Sequence, residues 1–220
     1  KYSAIPWWSS TALTMLGLLF IYNQGLWEEM LYTFTLVLVA SLISVLLGIP
    51  LGVWMAKSNR AKSIISPLLD FMQTMPAFVY LIPAVLFFGL GQVPGLIATV
   101  VFAMPPTIRL TGLGIRQVPV QLVEASDAFG STEWQKLIKV QIPLALPTIM
   151  AGVNQCIMLS LSMVVIAAMI GAGGLGNEVL TGISRLDIAK GFEGGLAIVL
   201  MAIILDRVTQ SISEKHKVKI

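Results

Sequence analysis

Residues 124–130 read Glu124-Ala125-Ser126-Asp127-Ala128-Phe129-Gly130, and the chain returns to an apolar run at Ile142-Pro143. This stretch is a charged, helix-forming island in a sequence that is otherwise strongly apolar. A polar island between two long apolar runs is typical of a connection that projects from a membrane. The stretch therefore predicts a chain that transmits something across a membrane boundary.

The composition is typical of an integral membrane protein. Of the 220 residues, 56% are hydrophobic and 11% are charged, with a mean hydropathy of +0.87. Soluble domains carry about 25% charged residues. Because the chain has one cysteine and one histidine, a disulfide framework and a Cys/His metal cluster are excluded. No paired carboxylates or nucleophile with a base stand out, so we expect no catalytic site.

Apolar stretches long enough to cross a bilayer recur along the chain. Since one crossing needs about 20 residues, they predict an all-α integral membrane fold, a polytopic bundle of about six transmembrane helices. The stretches run over residues 10–24, 30–56, 64–90, 96–115, 144–171 and 194–208.

The basic residues predict the orientation of these helices. Lys and Arg accumulate in cytoplasmic loops. With Lys1 inside, twelve of the fourteen basic residues fall on the cytoplasmic side, and only Arg185 and Lys190 fall outside. We therefore expect a multi-pass protein of the cell membrane with both ends and the charged island in the cytoplasm. The net charge of +3 is then explained by basic residues in the cytoplasmic connections, and we expect no nucleic-acid partner.

Prolines lie within or beside the apolar stretches, and each removes a backbone donor from its helix. Met75-Pro76-Ala77-Phe78 and Met104-Pro105-Pro106 are the places where we expect irregular backbone. The freed carbonyl groups suit helix kinks made for packing and equally a lined pathway. Both interpretations stay open.

Residues 119–143, here called the elbow, predict two short helices joined by a bend. Pro119 suits the start of the first helix, and Gly130 is a left-handed terminator. Ser131-Thr132 followed by Gln135 predicts a capping box that starts the second helix. The next span begins near Pro143.

The elbow resembles a loop in the membrane subunits of type I ABC importers, which carries Glu-Ala-Ala, then Gly, then Ile-x-Leu-Pro. Glu124-Ala125-Ser126, Gly130 and Val140-Gln141-Ile142-Pro143 keep that spacing, with size-conservative changes at 126, 140 and 142. The resemblance implies a type I ABC importer transmembrane domain whose elbow, the coupling helix, docks in a groove of an ABC ATPase subunit dimer. The docking residues would be Glu124, Ala125, Ser126, Asp127, Ala128, Gly130, Ile142 and Pro143.

Two glycine patterns bear on nucleotide binding. No phosphate-binding loop of the form Gly-x4-Gly-Lys-Ser/Thr occurs, because no glycine precedes a lysine. We therefore expect no cofactor and no enzyme activity in this chain, with ATP and Mg²⁺ bound by the partner ATPase. Residues 171–176 fit the Gly-x-Gly-x-x-Gly fingerprint of dinucleotide sites, but a span-length apolar run precedes them instead of a short strand. This position favours an outer, gate-adjacent turn.

Two further runs bear on the substrate. Residues 70–83 and 103–111 resemble the membrane subunit of glycine betaine/proline betaine importers. The resemblance implies import of compatible solutes in osmoprotection, by two membrane subunits, expected to be identical, with an extracellular substrate-binding protein or a fused binding domain. An ABC permease for methionine, phosphonate or another small solute is the alternative. A secondary transporter or channel is the alternative from a different class.

Ten residues are candidates for the transport pathway or its gate. Aromatic faces recognise quaternary ammonium groups, and glycines let a loop bend or pack closely. For the aromatic residues, the competing interpretation is packing in the core. For the asparagine, it is a hydrogen bond between helices. The candidates are Met75, Pro76, Phe78, Tyr80, Met104, Pro105, Asn154, Gly171, Gly173 and Gly174.

The predicted domain organisation has three parts. Residues 1–29 form an N-terminal membrane or scaffold segment, 30–210 the transmembrane domain with the elbow, and 211–220 a basic cytoplasmic tail. Basic segments beside a membrane attract anionic headgroups. Membrane lipids, anionic ones included, are therefore candidate partners of the tail.

Overall fold

The computed structural model describes residues 7–215, and within this range the chain is helical without strands. A π-helical segment, Leu137–Gln141, joins α7 to α8, and a 3-10 turn, Ala168–Ile170, follows α8. Of the predicted tail, 211–215 continue the last helix and 216–220 lie outside the described residues. The α-helices of the described range are α1 (Trp7–Asn23), α2 (Trp27–Lys57), α3 (Asn59–Thr74), α4 (Ala77–Phe88), α5 (Gln92–Arg116), α6 (Val120–Ala128), α7 (Glu133–Lys136), α8 (Ile142–Ala167), α9 (Leu175–Arg185) and α10 (Ile188–Lys215).

Within the described range, four helical stretches are long and apolar enough to cross a membrane: α2, α5, residues 133–170 and residues 188–210 of α10. The pair α3 and α4, bent by 98°, makes a fifth crossing if it counts as one span. The apolar part of α1, Thr14–Asn23, is shorter than the roughly 20 residues of a full crossing. The all-helical, multi-pass prediction is confirmed.

The two proline-rich sites behave differently. The break predicted at Met75-Pro76 is confirmed, because α3 ends at Thr74 and Met75 is extended, at φ −72° and ψ 131°. A residue before proline disfavours the helical region. The irregularity predicted at Met104-Pro105-Pro106 is wrong, since α5 runs unbroken from Gln92 to Arg116. Both rings are buried where α5 packs between its neighbours, and this packing supports a helix that lacks two backbone donors.

The centre of the bundle is α5, which packs between α2 and α8 through small residues. A Cβ atom added to Gly52 of α2 would lie 2.6 Å from Thr111 Cβ and 2.7 Å from the Ile108 carbonyl oxygen. On the other side of α5, a Cβ on Gly152 would lie 3.2 Å from the Pro106 carbonyl oxygen. Small residues let helix backbones approach closely, which is how helices associate in a membrane.

The outer surface of the bundle carries large apolar side chains. In water such a surface would favour aggregation, whereas lipid or a second subunit can cover it. Strongly exposed examples are Leu42, Leu46, Leu86, Phe87 and Leu90. This surface is what a membrane-spanning bundle requires.

The predicted outer connection, residues 172–193, is mostly helical. It contains α9, and α10 begins at Ile188, earlier than the predicted start at 194. The two helices approach closely, since a Cβ on Gly182 would lie 2.4 Å from the Gly191 nitrogen. The Lys190 ammonium also lies 2.9 Å from a Glu178 carboxylate oxygen. Hydropathy along the sequence does not predict α9, because a short amphipathic helix is too polar to count as a span.

Candidate functional site

The first helix of the elbow is displayed on the surface of the bundle. No residue of α6 is buried, and the Phe129 side chain after it is 92% exposed. Gly130 has a φ of +72°, and nothing lies within 4 Å of the position a Cβ would take there. The chain reverses here, and the Ser131 N–H and hydroxyl both donate to the Ser126 carbonyl, at 3.1 and 2.7 Å. The helix end predicted at Gly130 is confirmed.

The second half of the elbow differs from the prediction in one respect. The capping box is present, because the Gln135 N–H donates to Thr132 Oγ1 at 3.3 Å and Gln135 Oε1 accepts the Thr132 N–H at 3.0 Å. The helix it starts does not end before the next span. It runs through the π-helical segment directly into α8, which begins at Ile142. A displacement of the second half of the elbow would therefore act directly on α8.

Lys136 joins the two halves of the elbow electrostatically. Its ammonium lies 2.8 Å from Asp127 Oδ1 at the end of α6 and 2.7 Å from Glu133 Oε1 in α7. Lys136 is buried, whereas both carboxylates are exposed. From α2, Lys57 Nζ donates to the Glu133 carbonyl at 3.4 Å. Sequence reasoning missed Lys136, although its position three residues after Glu133 is a usable signal.

The predicted coupling residues fall into two environments. Glu124, Ala125, Asp127, Ala128 and Gly130 are exposed, and Ser126 is half-buried, with its hydroxyl donating to the Val123 carbonyl at 2.8 Å. Ile142 packs against a cluster that includes Leu137 and Ile149, while Pro143 is exposed. The elbow thus presents a continuous surface at α6 and is anchored by the apolar cluster behind it.

A cleft of about 480 Å³ lies between the elbow and the ends of α2 and α5. Val120 and Val123 of α6 form one wall, and Ile115 and Val118 contribute apolar surface at the end of α5. A cleft behind a surface helix leaves room for that helix to move relative to the bundle.

The candidate pathway residues do not converge on one place. The Tyr80 ring is buried edge-to-face against Phe102, with centroids 5.5 Å apart, and its hydroxyl donates to the Met72 carbonyl. Met75 packs against the cluster that contains Tyr80, and Phe78 is 52% exposed on the outer surface of α4. Met104 packs in a separate cluster, with α3, and Pro105 is buried.

Asn154 bridges two helices. Its amide nitrogen donates to Asp206 Oδ1 at 3.1 Å, and its carbonyl oxygen accepts from the Thr209 hydroxyl at 2.5 Å. Both partners are in α10. These bonds are the helix–helix interaction that competes with the pathway interpretation, and a solute would have to replace them to bind this amide.

The three candidate glycines form a tight turn at the end of the bundle opposite the elbow. Gly171, Gly173 and Gly174 have φ of +84°, +79° and +77°. The Gly91 N–H donates to the Ile170 carbonyl at 2.8 Å, which ties this turn to the α4–α5 connection. In residues 7–215, no three His, Cys, Asp or Glu side chains come together as a metal site.

A multi-pass helical bundle with an exposed elbow between two spans defines an integral membrane component of a transport system. The chain belongs to the family of binding-protein-dependent transport system inner membrane components, whose family model matches residues 48–216. The match includes the elbow, the glycine turn and the last part of α2, from residue 48 onward.

Two curated relatives are closely similar over nearly the whole chain. The glycine betaine/carnitine transport permease protein of Listeria monocytogenes is 61% identical over 210 residues, 96% of this chain and 74% of the relative. The glycine betaine transport system permease protein of Bacillus subtilis is 54% identical over 220 residues, 98% of this chain and 78% of the relative.

The fold also matches a solved transporter. The MetNI methionine ABC transporter in an inward-facing conformation superposes with a TM-score of 0.78 at 19% identity, covering 84% of this chain and 93% of that chain. At this identity the likeness concerns the fold alone, and it confirms the fold of an ABC importer membrane subunit.

Proposed function

We propose that this chain is the membrane-spanning subunit through which an ATP-driven importer moves glycine betaine, or a related compatible solute, into the cell for osmoprotection. The observation that carries the proposal is the 61% identity over 96% of the chain to a glycine betaine/carnitine permease. A secondary transporter is disfavoured, since the family depends on a binding protein.

The elbow is the proposed contact with the ATPase dimer. Phe129 is 92% exposed beside the exposed carboxylates Glu124 and Asp127, which is a combination that suits an apolar anchor with a polar rim. ATP and Mg²⁺ would bind in that partner. Because α7 continues into α8 without a break, movement of the elbow would be transmitted to the bundle.

The proposed orientation places the elbow in the cytoplasm. Lys57, Arg116 and Lys136 gather at the elbow end, and basic residues favour the cytoplasmic side. With an uneven number of crossings between them, the glycine turn at Gly171–Gly174 would face outward. The extracellular binding protein, or a fused binding domain, would then meet the bundle at the glycine-turn end.

Two further parts of the proposal concern assembly. A second, identical membrane subunit would cover part of the exposed apolar surface of the bundle. The transmembrane domain would comprise residues 30–210, with 1–29 as an added segment. In the structure α1 packs on α10, where a Cβ added to Gly17 would lie 3.4 Å from the Leu200 side chain, so this segment covers the outside of the last span.

The test is uptake of labelled glycine betaine by the complete transporter in vesicles, driven by ATP. Unlabelled glycine betaine and carnitine are expected to compete, and methionine is expected to have no effect, because its primary amine lacks the methylated ammonium group. Competition by methionine with none by carnitine would assign the chain to the alternative solute class. Uptake that persists without ATP and without a copurifying ATPase would overturn the importer itself.

A further inference from the structure

A small charged cleft that the transport proposal does not use lies at the elbow end, between α2, α3 and α5. Its volume is about 170 Å³. Lys62 of α3 and Arg109 and Arg116 of α5 line it, together with the carboxylate of Asp70. Three cations against one carboxylate leave a formal excess of two positive charges.

The three cations differ in how far they are already paired. Arg109 forms an ion pair with Asp70, and both are partly exposed. Arg116 donates to the Met55 carbonyl at 2.9 Å and to Asn59 Oδ1 at 3.1 Å. Among the described residues, none pairs with the Lys62 ammonium. The cleft therefore holds one unpaired cation and two guanidinium groups that retain free N–H donors.

The remaining walls of the cleft are apolar. Met55, Leu69 and Leu113 contribute them. The opposite face of α3 is apolar and exposed, with Ile64 at 73% and Phe71 at 63%. An amphipathic helix of this kind lies where the apolar core of a membrane meets its headgroups. The cleft thus combines cationic groups and apolar side chains in its walls.

The cleft is smaller than the usual binding site for an organic solute, which favours a single small anionic group as its ligand. Sites for small molecules have volumes of roughly 300–1,000 Å³. A single phosphate group is small enough, and it presents the oxygen acceptors that Arg and Lys bind through charge-assisted hydrogen bonds. A free phosphate would leave the apolar walls unused. A phospholipid would cover them with the first part of its acyl chains.

We propose that the cleft binds the phosphate headgroup of an anionic phospholipid, with Lys62, Arg109 and Arg116 around the phosphate and the exposed Leu113 side chain against an acyl chain. Asp70 opposes the binding, because it neutralises Arg109 and repels the phosphate. The proposal depends on the membrane location of the chain and not on the transported solute.

The test is native mass spectrometry of the complete transporter titrated with phosphatidylglycerol. Lys62→Gln is expected to weaken binding about fivefold, since one basic residue near anionic lipid is worth about 1 kcal/mol. Asp70→Asn is expected to strengthen it by a similar factor. Because a folding defect would weaken lipid binding in both variants, opposite effects of the two substitutions show that the site itself has been changed.

Arg60→Gln is the matched control, because Arg60 is exposed on α3 two residues from Lys62 and does not line the cleft. Binding to this variant is expected to stay within twofold of wild type, and Lys62→Arg is expected to keep it. If Lys62→Gln and Arg60→Gln lose the same lipid affinity, the effect comes from general surface charge, and the proposed site is wrong. Phosphatidylcholine that binds equally well, or inorganic phosphate that displaces the lipid at millimolar concentration, would overturn the assignment to an anionic lipid.

Discussion

The hydroxyl of Thr33 accepts a hydrogen bond of 2.8 Å from the backbone N–H of Leu175, joining the start of α2 to the start of α9 across 142 positions of sequence. The same hydroxyl donates to the Glu29 carbonyl at 2.9 Å. Directly before Leu175, a Cβ on Gly174 would lie 2.3 Å from Thr33 Oγ1. The glycine turn is therefore bonded to α2 and packed against it, although its composition suggests flexibility.

Replacing Thr33 with valine is expected to destabilise the bundle by about 1–3 kcal/mol, because a buried N–H loses its acceptor while the side-chain shape is kept. Thermal unfolding of the purified transporter in detergent measures the loss. Thr35→Val is the control, since the Thr35 hydroxyl is exposed and donates only within its own helix, to the Leu31 carbonyl at 2.8 Å. Equal unfolding temperatures for the two variants would contradict the role given to the Thr33–Leu175 bond.

Gly52→Ala is expected to lower stability by forcing α2 and α5 apart. Its Cβ would lie 2.7 Å from the Ile108 carbonyl oxygen, and backbone cannot move aside as a flexible side chain can. We expect a cost of about 1–3 kcal/mol, the usual range for overpacking. Gly195→Ala in α10 is the matched control, because nothing lies within 4 Å of that Cβ position. The Gly195→Ala variant is expected to gain up to about 1 kcal/mol of stability from helix propensity. If both variants are destabilised, the close contact between Gly52 and α5 is not the cause.

Gly130→Val is expected to uncouple transport from ATP hydrolysis. The φ of +72° costs a residue with a Cβ about 1–2 kcal/mol, and more when it is β-branched, so the bend of the elbow would change shape. There is no steric clash at this position, so Gly130→Asn, which tolerates this conformation, is the control and is expected to transport nearly normally. The measurement is solute moved per ATP hydrolysed. A wild-type ratio of solute to ATP in the valine variant would contradict the role given to the bend at Gly130.

Lys136→Met is expected to loosen the two halves of the elbow from each other and to reduce coupled transport while the variant still inserts in the membrane. The substitution keeps the apolar stem but leaves Asp127 and Glu133, at 2.8 and 2.7 Å, without their shared cation. Lys139→Met is the control, because Lys139 is exposed on the same segment and no described residue pairs with its ammonium. If both variants transport at the wild-type ratio of solute to ATP, the Lys136 pairs have no part in coupling.

Local features of the structure could be predicted well. The helix end at Gly130 and the capping box at Thr132 and Gln135 depend on a few adjacent residues, and both are present. The break at Met75-Pro76 is local as well. The same reasoning failed at Pro105 and Pro106, because burial on both sides of α5 outweighs the backbone preference of proline.

Non-local features of the site could not be predicted. The pairs formed by Lys136, and the separation of Tyr80 from Met104 into different clusters, depend on how helices cross. The clefts behind the elbow and beside Lys62 lie between helices that are distant in sequence. No window of the sequence contains all the residues of either cleft.

By itself, the sequence determined that this protein is a helical membrane bundle with a polar elbow, because hydrophobic length and capping residues act over short stretches of chain. Tertiary structure alone decided that the glycine turn is bonded to Thr33 and that Lys62 shares a cleft with two arginines. These relationships arise from the close packing of α2, α5 and α8, where glycines let backbones meet. Packing of this kind depends on three-dimensional fit between distant segments, which hydropathy and spacing do not encode.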